Sequence, residues 1–325
     1  MSPPRTAAVV LARDRPSVVA RTIEAIVGQE PAPDVLILVA NEATPEVTEV
    51  LERAAHEHDA GEVLHLPTNL GAAGGFHAGL EHAMSRGDVE LACCFDDDAT
   101  PLPGCLAALL AAAAALPDVG TVGAVAHDGT GKLSWGMWID GQAGPAETVG
   151  EVQQLAAGRQ ALDVAGMCWH ALLVPVDVLR AHGNIWAELF LQYEDAEFGL
   201  RLRAAGLHNY LVPAAECVHP PAPPSREIRL LGRKLAITCQ APGKEYLTLR
   251  NDLLVRHRYN GLRFWYATGP LILVRGLLIA VSLDVPRSAA LRHVFARAVL
   301  DAARGRLGPP PARTTALEPA ERRAP

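Results

Sequence analysis

Along the first 125 residues, short and wholly apolar runs alternate with longer stretches in which apolar positions recur every three or four residues. AAVVLA (7–12), DVLILVAN (34–41), EVLHLP (62–67) and ELACCF (90–95) are too short for helices and carry β-branched residues, so they read as buried strands. Between them the pattern predicts helices. One opens at Pro16 and Ser17; one has Thr44 as cap and Pro45 at its first position; one follows a Gly-rich turn and reaches about Met84; an Ala/Leu helix covers 103–116. Strand and helix alternating at this interval predict an α/β fold, a mixed and mainly parallel sheet flanked by helices. Ligands of such sheets gather outside the carboxyl ends of the strands. Asn41, the 68–75 loop and Asp96–Asp98 all fall at such ends.

Beyond residue 125 the rhythm changes. TVGAVAH, KLSWGMWID and ALDVAGMCWHALLVP read as further strands, some antiparallel, and the 184–206 segment ends as a helix stopped by Gly206. NYLVPAAECVH reads as the last strand of a body spanning 1–220, divided near 125. PPAPPSRE (220–227) marks a boundary or a mobile loop. EYLTLRNDLLVRHRYNG and 288–304 read as helices of a C-terminal region over 221–304, and the tail 305–325 reads as disordered. Residues 262–285 are apolar but interrupted by Arg263, Pro270 and Arg275. A spanning helix needs about 20 clean apolar residues. The segment is therefore expected to lie in a membrane interface or to pack on the body.

Charge sharpens the division. The net charge of −7 hides a basic stretch, since residues 226–306 hold 15 Lys and Arg against 5 Asp and Glu. The remaining acidic body gives no footing for nucleic acid. The basic part suits an anionic membrane surface, or equally a pairing with the acidic body. The six cysteines form no CxxC pair and no regular framework, and no signal peptide is apparent. They read as reduced thiols of a cytoplasmic protein.

Four constellations carry chemistry. Asp96, Asp97 and Asp98 follow a buried strand, where mutual repulsion is costly. A solvated turn would explain them; so would a seat for Mg²⁺ or Mn²⁺, hard cations that prefer carboxylate oxygen. NLGAAGGFHAG (69–79) allows close approach of backbone to a ligand, or is a plain strand-to-helix turn. QYEDAEFGLRLRAAG (192–206) gathers Glu194, Asp195, Glu197 and Arg201 at a helix start. Capping and a Glu197–Arg201 pair account for it, or Asp195 projects into the crevice as a general base. His219 stands at a strand end before two prolines and gains weight only beside the aspartates.

In order and setting these stretches resemble the family 2 glycosyltransferases of the GT-A fold, nearest to bacterial galactofuranosyl- and rhamnosyltransferase-type members. The likeness runs over about 7–260 through RDRPSVVARTIEAIVGQ, LILVANEATPE, NLGAAGGFHAGLEHA, FDDDATPLPG, VAGMCWHALLVP, IWAELFLQYEDAEFGLRLRAAG, VHPP and LRNDLLVRHR. It implies a nucleotide-binding half over 1–125 and an acceptor half over 126–220. Asp96 and Asp98 would form the DxD element around Mn²⁺ or Mg²⁺, with His219 as a further ligand and Asp195 as the base. Arg15, Asn41, Asn69, Gly71, Gly74, Asp96 and Asp97 would lie on the donor side. Trp169, Trp186, Glu194 and Glu197 would lie on the acceptor side.

Two departures stand out: Ala12–Arg15 replaces the family's Thr-aromatic-Asn-Arg, and Ala40 stands where an acidic base-reading residue is common. The reaction implied is an inverting transfer from a nucleotide-diphosphate sugar, UDP-galactofuranose or dTDP-rhamnose, to a cell-envelope glycan or polyprenyl-diphosphate-linked acceptor. Such an enzyme would be cytoplasmic or peripheral on the inner face of the plasma membrane, touching it through 226–304, with the 220–245 loop closing over the site. The competing readings are a non-catalytic sugar-nucleotide-binding scaffold and a sugar-phosphate nucleotidyltransferase. The second lacks a basic Gly-rich triphosphate loop in the first strand–helix turn.

Overall fold

The structure, a computed structural model, describes residues 4–221, 225–230, 233–238, 240–281 and 288–315. The chain divides into two units: Met1–Ala187 with Asp195–Ala222, and Glu188–Glu194 with Pro223–Pro325. Residues 188–194 group with the second unit.

The first unit opens with β1 (Thr6–Ala12), α1 (Pro16–Val27), β2 (Val35–Asn41), α2 (Pro45–Glu57), β3 (Gly61–Leu66), α3 (Gly71–Arg86) and β4 (Leu91–Asp96). These four strands are parallel, with Ala7 opposite Val35 and Leu11 opposite Asp96. β1 and β2 are buried at every position, as their continuous apolar runs require of strands covered on both faces. Thr44 caps α2 by accepting from the Val47 amide at 3.4 Å, and Pro45 spends its missing N–H at a position with no helical partner.

There follow β5 (Thr100–Pro101), α4 (Cys105–Ala115), β6 (Val119–His127), β7 (Lys132–Met137), β8 (Ala146–Thr148), α5 (Val149–Ala156), β9 (Leu162–Val164), β10 (His170–Pro175), α6 (Val176–His182), α7 (Glu194–Ala204) and β11 (His208–Val218). The main sheet runs β3-β2-β1-β4-β10-β6-β11-β5. β10 is antiparallel to β4 and β6, so its first residue lies at the same sheet edge as the carboxyl ends of those two strands. β11 runs parallel to β6 and ends at that edge as well. Val10, Leu38, Phe95 and Leu173 belong to a core that also takes Ile23 of α1, Leu51 of α2 and Leu109 of α4.

The 161–175 run splits into β9 and β10, with 165–169 outside the sheet. The 184–206 segment ends as a helix, as expected, starting at Glu194 after a 3₁₀ turn at Ala187–Leu189. α5, which the apolar pattern did not announce, starts at a reciprocal capping box between Thr148 and Glu151. Cys93, Cys94, Cys105, Cys168 and Cys217 are thiols that form no disulfide among the described residues; Cys239 lies outside them.

The second unit replaces the expected loop at 220–245 by a hairpin, β12 (Ser225–Leu230) and β13 (Arg233–Thr238), followed by α8 (Pro242–Tyr259). After a π-helical turn at Phe264–Thr268 come α9 (Gly269–Val281), α10 (Ser288–Ala303) and α11 (Ala312–Thr315). Tyr246, Leu249, Phe264, Ile272, Val294 and Ala298 form its core. Among the described residues no helix is long and apolar enough to cross a membrane.

Within this unit Arg250 and Asn251 are fully buried and hold the 188–194 strap. Asn251 Nδ2 donates to the carbonyls of Leu189 (3.0 Å), Leu191 (3.0 Å) and Gln192 (2.7 Å). Arg250 donates to the carbonyls of Leu189 (3.0 Å) and Gly308 (2.6 Å). The strap needs this grip, because Phe190, Gln192 and Tyr193 all adopt left-handed φ near +70°, costly for residues with a Cβ. The Gly308 amide donates to Glu188 at 2.7 Å, so residues near 308 are tied down rather than forming the start of a disordered tail; 316–325 lie outside the described residues.

Two substitutions test this packing. Alanine in a helix interior normally gains up to about 1 kcal/mol over glycine. At Gly199 of α7 a Cβ would stand 2.7 Å from both the Ala165 carbonyl oxygen and Gly166 Cα. Gly199→Ala is therefore expected to destabilise by about 1–3 kcal/mol, read as a fall in thermal midpoint. Asn251→Asp keeps the shape and removes the donors; urea denaturation should show a loss of at least about 1–3 kcal/mol.

Candidate functional site

β4 delivers Asp96 to the edge of the sheet, and the turn after it carries Asp97 and Asp98. Three carboxylates here are met by one guanidinium and two imidazoles. Arg15, at the entrance to α1, donates from Nη1 to Asp98 at 2.5 Å, from Nε to Asp97 at 3.2 Å, and from Nη2 to the other Asp97 oxygen. The charges it faces drive the Arg15 pKa further up against the pull of its own burial. Burial alone would raise the Asp98 pKa, but hydrogen bonds from His219 and Arg15 outweigh it and hold this carboxyl well below the ordinary range. Asp97 goes the other way: burial, with Asp98 and Asp96 adding to it, pushes it up to about 6 despite Arg15.

His219 follows the last residue of β11, and its Nε2 lies 3.3 Å from Asp98 Oδ1. Its ring stacks on that of His170, centroids 3.7 Å apart and planes 23° from parallel. His170 is the first residue of β10, with Nε2 3.3 Å from Asp96 Oδ2. A bulge sets it there: His170 pairs with Phe95 and Leu172 with Cys94, leaving Ala171 as the extra residue at φ +57°. Asp96, His170 and His219 each present one donor atom, all within 4.8 Å of one another. His219 Nδ1 is buried with no hydrogen-bond partner among the described residues. A carboxylate and two imidazoles fit Mn²⁺ well and Mg²⁺ less well, since Mg²⁺ favours an all-oxygen shell. The sequence reading paired His219 with Asp96 and Asp98 and missed His170. The strand reading of VAGMCWHALLVP hid a histidine that only the antiparallel course of β10 carries to this edge.

Asp195, in the first turn of α7, is part-buried. Loss of water raises its pKa above the ordinary aspartate value; the Cys168 thiol, the Ala196 amide at 2.7 Å and the neighbouring His170 pull the other way, and the Asp96 charge adds to the rise. A carboxylate held like this is a stronger base than one in water. Beside Cys168 and His170 an apolar recess is lined by Leu133, Trp135, Met137 and Met167.

The remaining positions divide. Asn41 Oδ1 accepts from the Leu70 amide at 2.8 Å while its Nδ2 donates to Asn69 and to the Gly71 carbonyl, and Asn69 Oδ1 accepts from the Gly71 amide. These two asparagines shape the 69–71 turn, which needs φ +70° at Gly71. Gly74 is buried, and a Cβ there would meet Leu70 Cβ at 2.5 Å, so packing alone explains this glycine. Trp169 is a correction: only 2% exposed, it lies between Phe76 and Phe198 at 5.3 and 5.8 Å, with no ring face open to an acceptor. Trp186 is part-buried. Glu197 is buried and paired with Arg201 at 3.0 Å, and Arg201 in turn donates to the carbonyls of His182, Gly183 and Asn184. That is a structural role. Glu194 is buried and belongs to the second unit.

Residues 3–235 match the family model described as glycosyltransferase-like family 2. The galactofuranosyltransferase GlfT1 of Mycobacterium tuberculosis is 29% identical over 249 residues, covering 75% of this chain and 79% of that protein. GlfT1 of Mycolicibacterium smegmatis is 35% identical over 94 residues, 29% of this chain and 30% of that one. Among solved structures, GalNAc-T7 with UDP, GalNAc and Mn²⁺ superposes with a TM-score of 0.58 at 13% identity, covering 83% of this chain; the chain spans about half, 51%, of that protein. The mannosyltransferase PcManGT of Pyrobaculum calidifontis, in complex with GDP-Man and Mn²⁺, gives 0.52 at 17% identity, covering 94% of this chain and 80% of the other. The fold is thus the GT-A fold of these neighbours, and the chain belongs to the family 2 glycosyltransferases.

Proposed function

We propose that this glycosyltransferase moves a sugar from a nucleotide-diphosphate donor to a hydroxyl of a cell-envelope glycan or polyprenyl-diphosphate-linked acceptor, inverting the anomeric carbon. One observation carries the reading: the Asp96–Asp98 turn, His170, His219 and Asp195 come from four separate places in the sequence and meet at one sheet edge. UDP-galactofuranose is favoured as donor over dTDP-rhamnose by the GlfT1 relatives. The Mn²⁺ bound in both structural neighbours supports a divalent cation. Asp96, His170 and His219 would hold it, with Asp98 beside them. Once bound, the cation would neutralise charge on the departing diphosphate.

The chain's own residues do the rest. Asp195 accepts the proton of the acceptor hydroxyl while that oxygen bonds to the anomeric carbon and the bond from that carbon to the diphosphate breaks. A single displacement requires no carboxylate nucleophile, in contrast to retaining glycoside hydrolysis. Arg15 pins Asp97 and Asp98 in the turn and fixes their geometry before the donor arrives. On this reading the protein works in the cytoplasm or on the inner face of the plasma membrane.

Asp195→Asn should cut transfer by about 10²–10⁴-fold with Mn²⁺-dependent nucleotide binding intact, measured by radiolabelled-sugar transfer and calorimetry. Because the folded pKa of Asp195 is raised, its proton persists to higher pH, and the acid limb of the kcat profile should sit above the ordinary aspartate range. His170→Ala should weaken Mn²⁺-supported UDP binding about 10–100-fold while metal-free binding changes little. Unchanged calorimetric titrations would remove His170 from the site.

A further inference from the structure

The π-helical turn and α9 are apolar on two sides, and only one side is covered. The inner stripe of Phe264, Ile272 and Gly276 packs within the second unit; a Cβ on Gly276 would stand 2.8 Å from the ring of Phe295. The outer stripe is open: Leu262 is 82% exposed, Trp265 66%, Tyr266 76%, Leu271 67%, Val274 51% and Leu277 49%. One such side chain is ordinary on a protein surface, but six on consecutive turns form a patch that needs a partner.

The chemistry around the patch selects the partner. No Asp or Glu occurs between residues 253 and 283, while Arg256, His257, Arg258, Arg263 and Arg275 do, and Arg258 and Arg263 are exposed. A second copy docking through the same patch would set these cations against each other. Arg256 and Arg275 already pair with Asp252 and Glu245; an anionic surface would add attraction for the exposed Arg258 and Arg263. Tryptophan and tyrosine side by side, an apolar body with a polar tip, are the pair that settles at the level of lipid headgroups. Arg263, Pro270 and Arg275 interrupt the apolar run, and among the described residues no helix is long and apolar enough to cross a membrane. The face is suited to lie along a bilayer.

We infer that this face docks in the plane of an anionic lipid bilayer. Leu262, Leu271, Val274 and Leu277 enter the boundary of the acyl region, Trp265 and Tyr266 sit among the headgroups, and Arg258 and Arg263 meet lipid phosphates. The inference rests on this surface alone and not on the transfer reaction.

Flotation of the full chain with vesicles tests it. Phosphatidylcholine vesicles containing phosphatidylglycerol should carry the protein and pure phosphatidylcholine vesicles should not. Binding should fall at least about tenfold between 0.1 and 0.5 M salt. Trp265→Ser with Val274→Ser should abolish flotation with donor turnover unchanged. Arg258→Gln with Arg263→Gln, which removes no apolar packing, should erase the preference for the anionic lipid. In brominated lipid, Trp265→Phe should keep binding and lose most of the tryptophan quenching. Failure of the wild-type chain to float, or flotation indifferent to both double variants, overturns the inference. So does light scattering that shows a dimer converted to monomer by the Trp265 and Val274 changes.

Discussion

The constraint on which the rest of the molecule depends is electrostatic: three consecutive carboxylates at the end of a buried strand. β4 is apolar up to Phe95, and the next three residues bring like charges into a partly dry environment. Nothing in the chain beside them offsets that cost. The compensation arrives from Arg15 after the first strand, His170 at the head of an antiparallel strand and His219 at the end of the last one. The sheet order is what brings these distant positions together. The result is uneven: Asp98 is stabilised as an anion while the more deeply buried Asp97 is pushed toward its neutral form. Adjacent identical residues thus acquire different chemistry from their surroundings alone.

Much of this is legible in the sequence. Runs such as DVLILVAN admit only a strand covered on both faces, and a parallel sheet then dictates which loops share an edge. That logic placed Asn41, the 69–75 turn and the aspartates together. It failed where side-chain direction matters more than strand direction. Trp169 and His170 are neighbours in sequence, and one went to the core while the other went to the site. The apolar pattern contains nothing that distinguishes them: Trp169 lies just outside β10, and His170 opens it ahead of the bulge. Asn41 and Asn69 were legible by position as residues of the sheet edge, and their amides are spent on the backbone of the turn. The 188–194 strap was illegible for a further reason: its left-handed residues are not glycines, and buried donors from α8, far along the chain, sustain them.

The two units handle buried polarity in different ways. In the first, charge is concentrated at a sheet edge where an incoming group can share it. In the second, Arg250 and Asn251 are sealed and their donors consumed by backbone carbonyls, so they hold a conformation and offer nothing outward. That unit turns outward instead through the apolar and cationic face of α9. Burial is used to fix geometry in one place and exposure to recruit a surface in another.

The bulge at Ala171 has a bearing on how such a site changes over time. In an unbroken strand, facing alternates with a period of two, and any one-residue slip would exchange the core set of β10 for its opposite. With the extra residue placed between His170 and Leu172, Leu172 and Leu173 keep their registers with Cys94 and Cys93 whatever His170 does. Position 170, a ligand on the proposed reading, is thereby uncoupled from the packing positions. A different side chain there can be tried without shifting the register of the strand behind it.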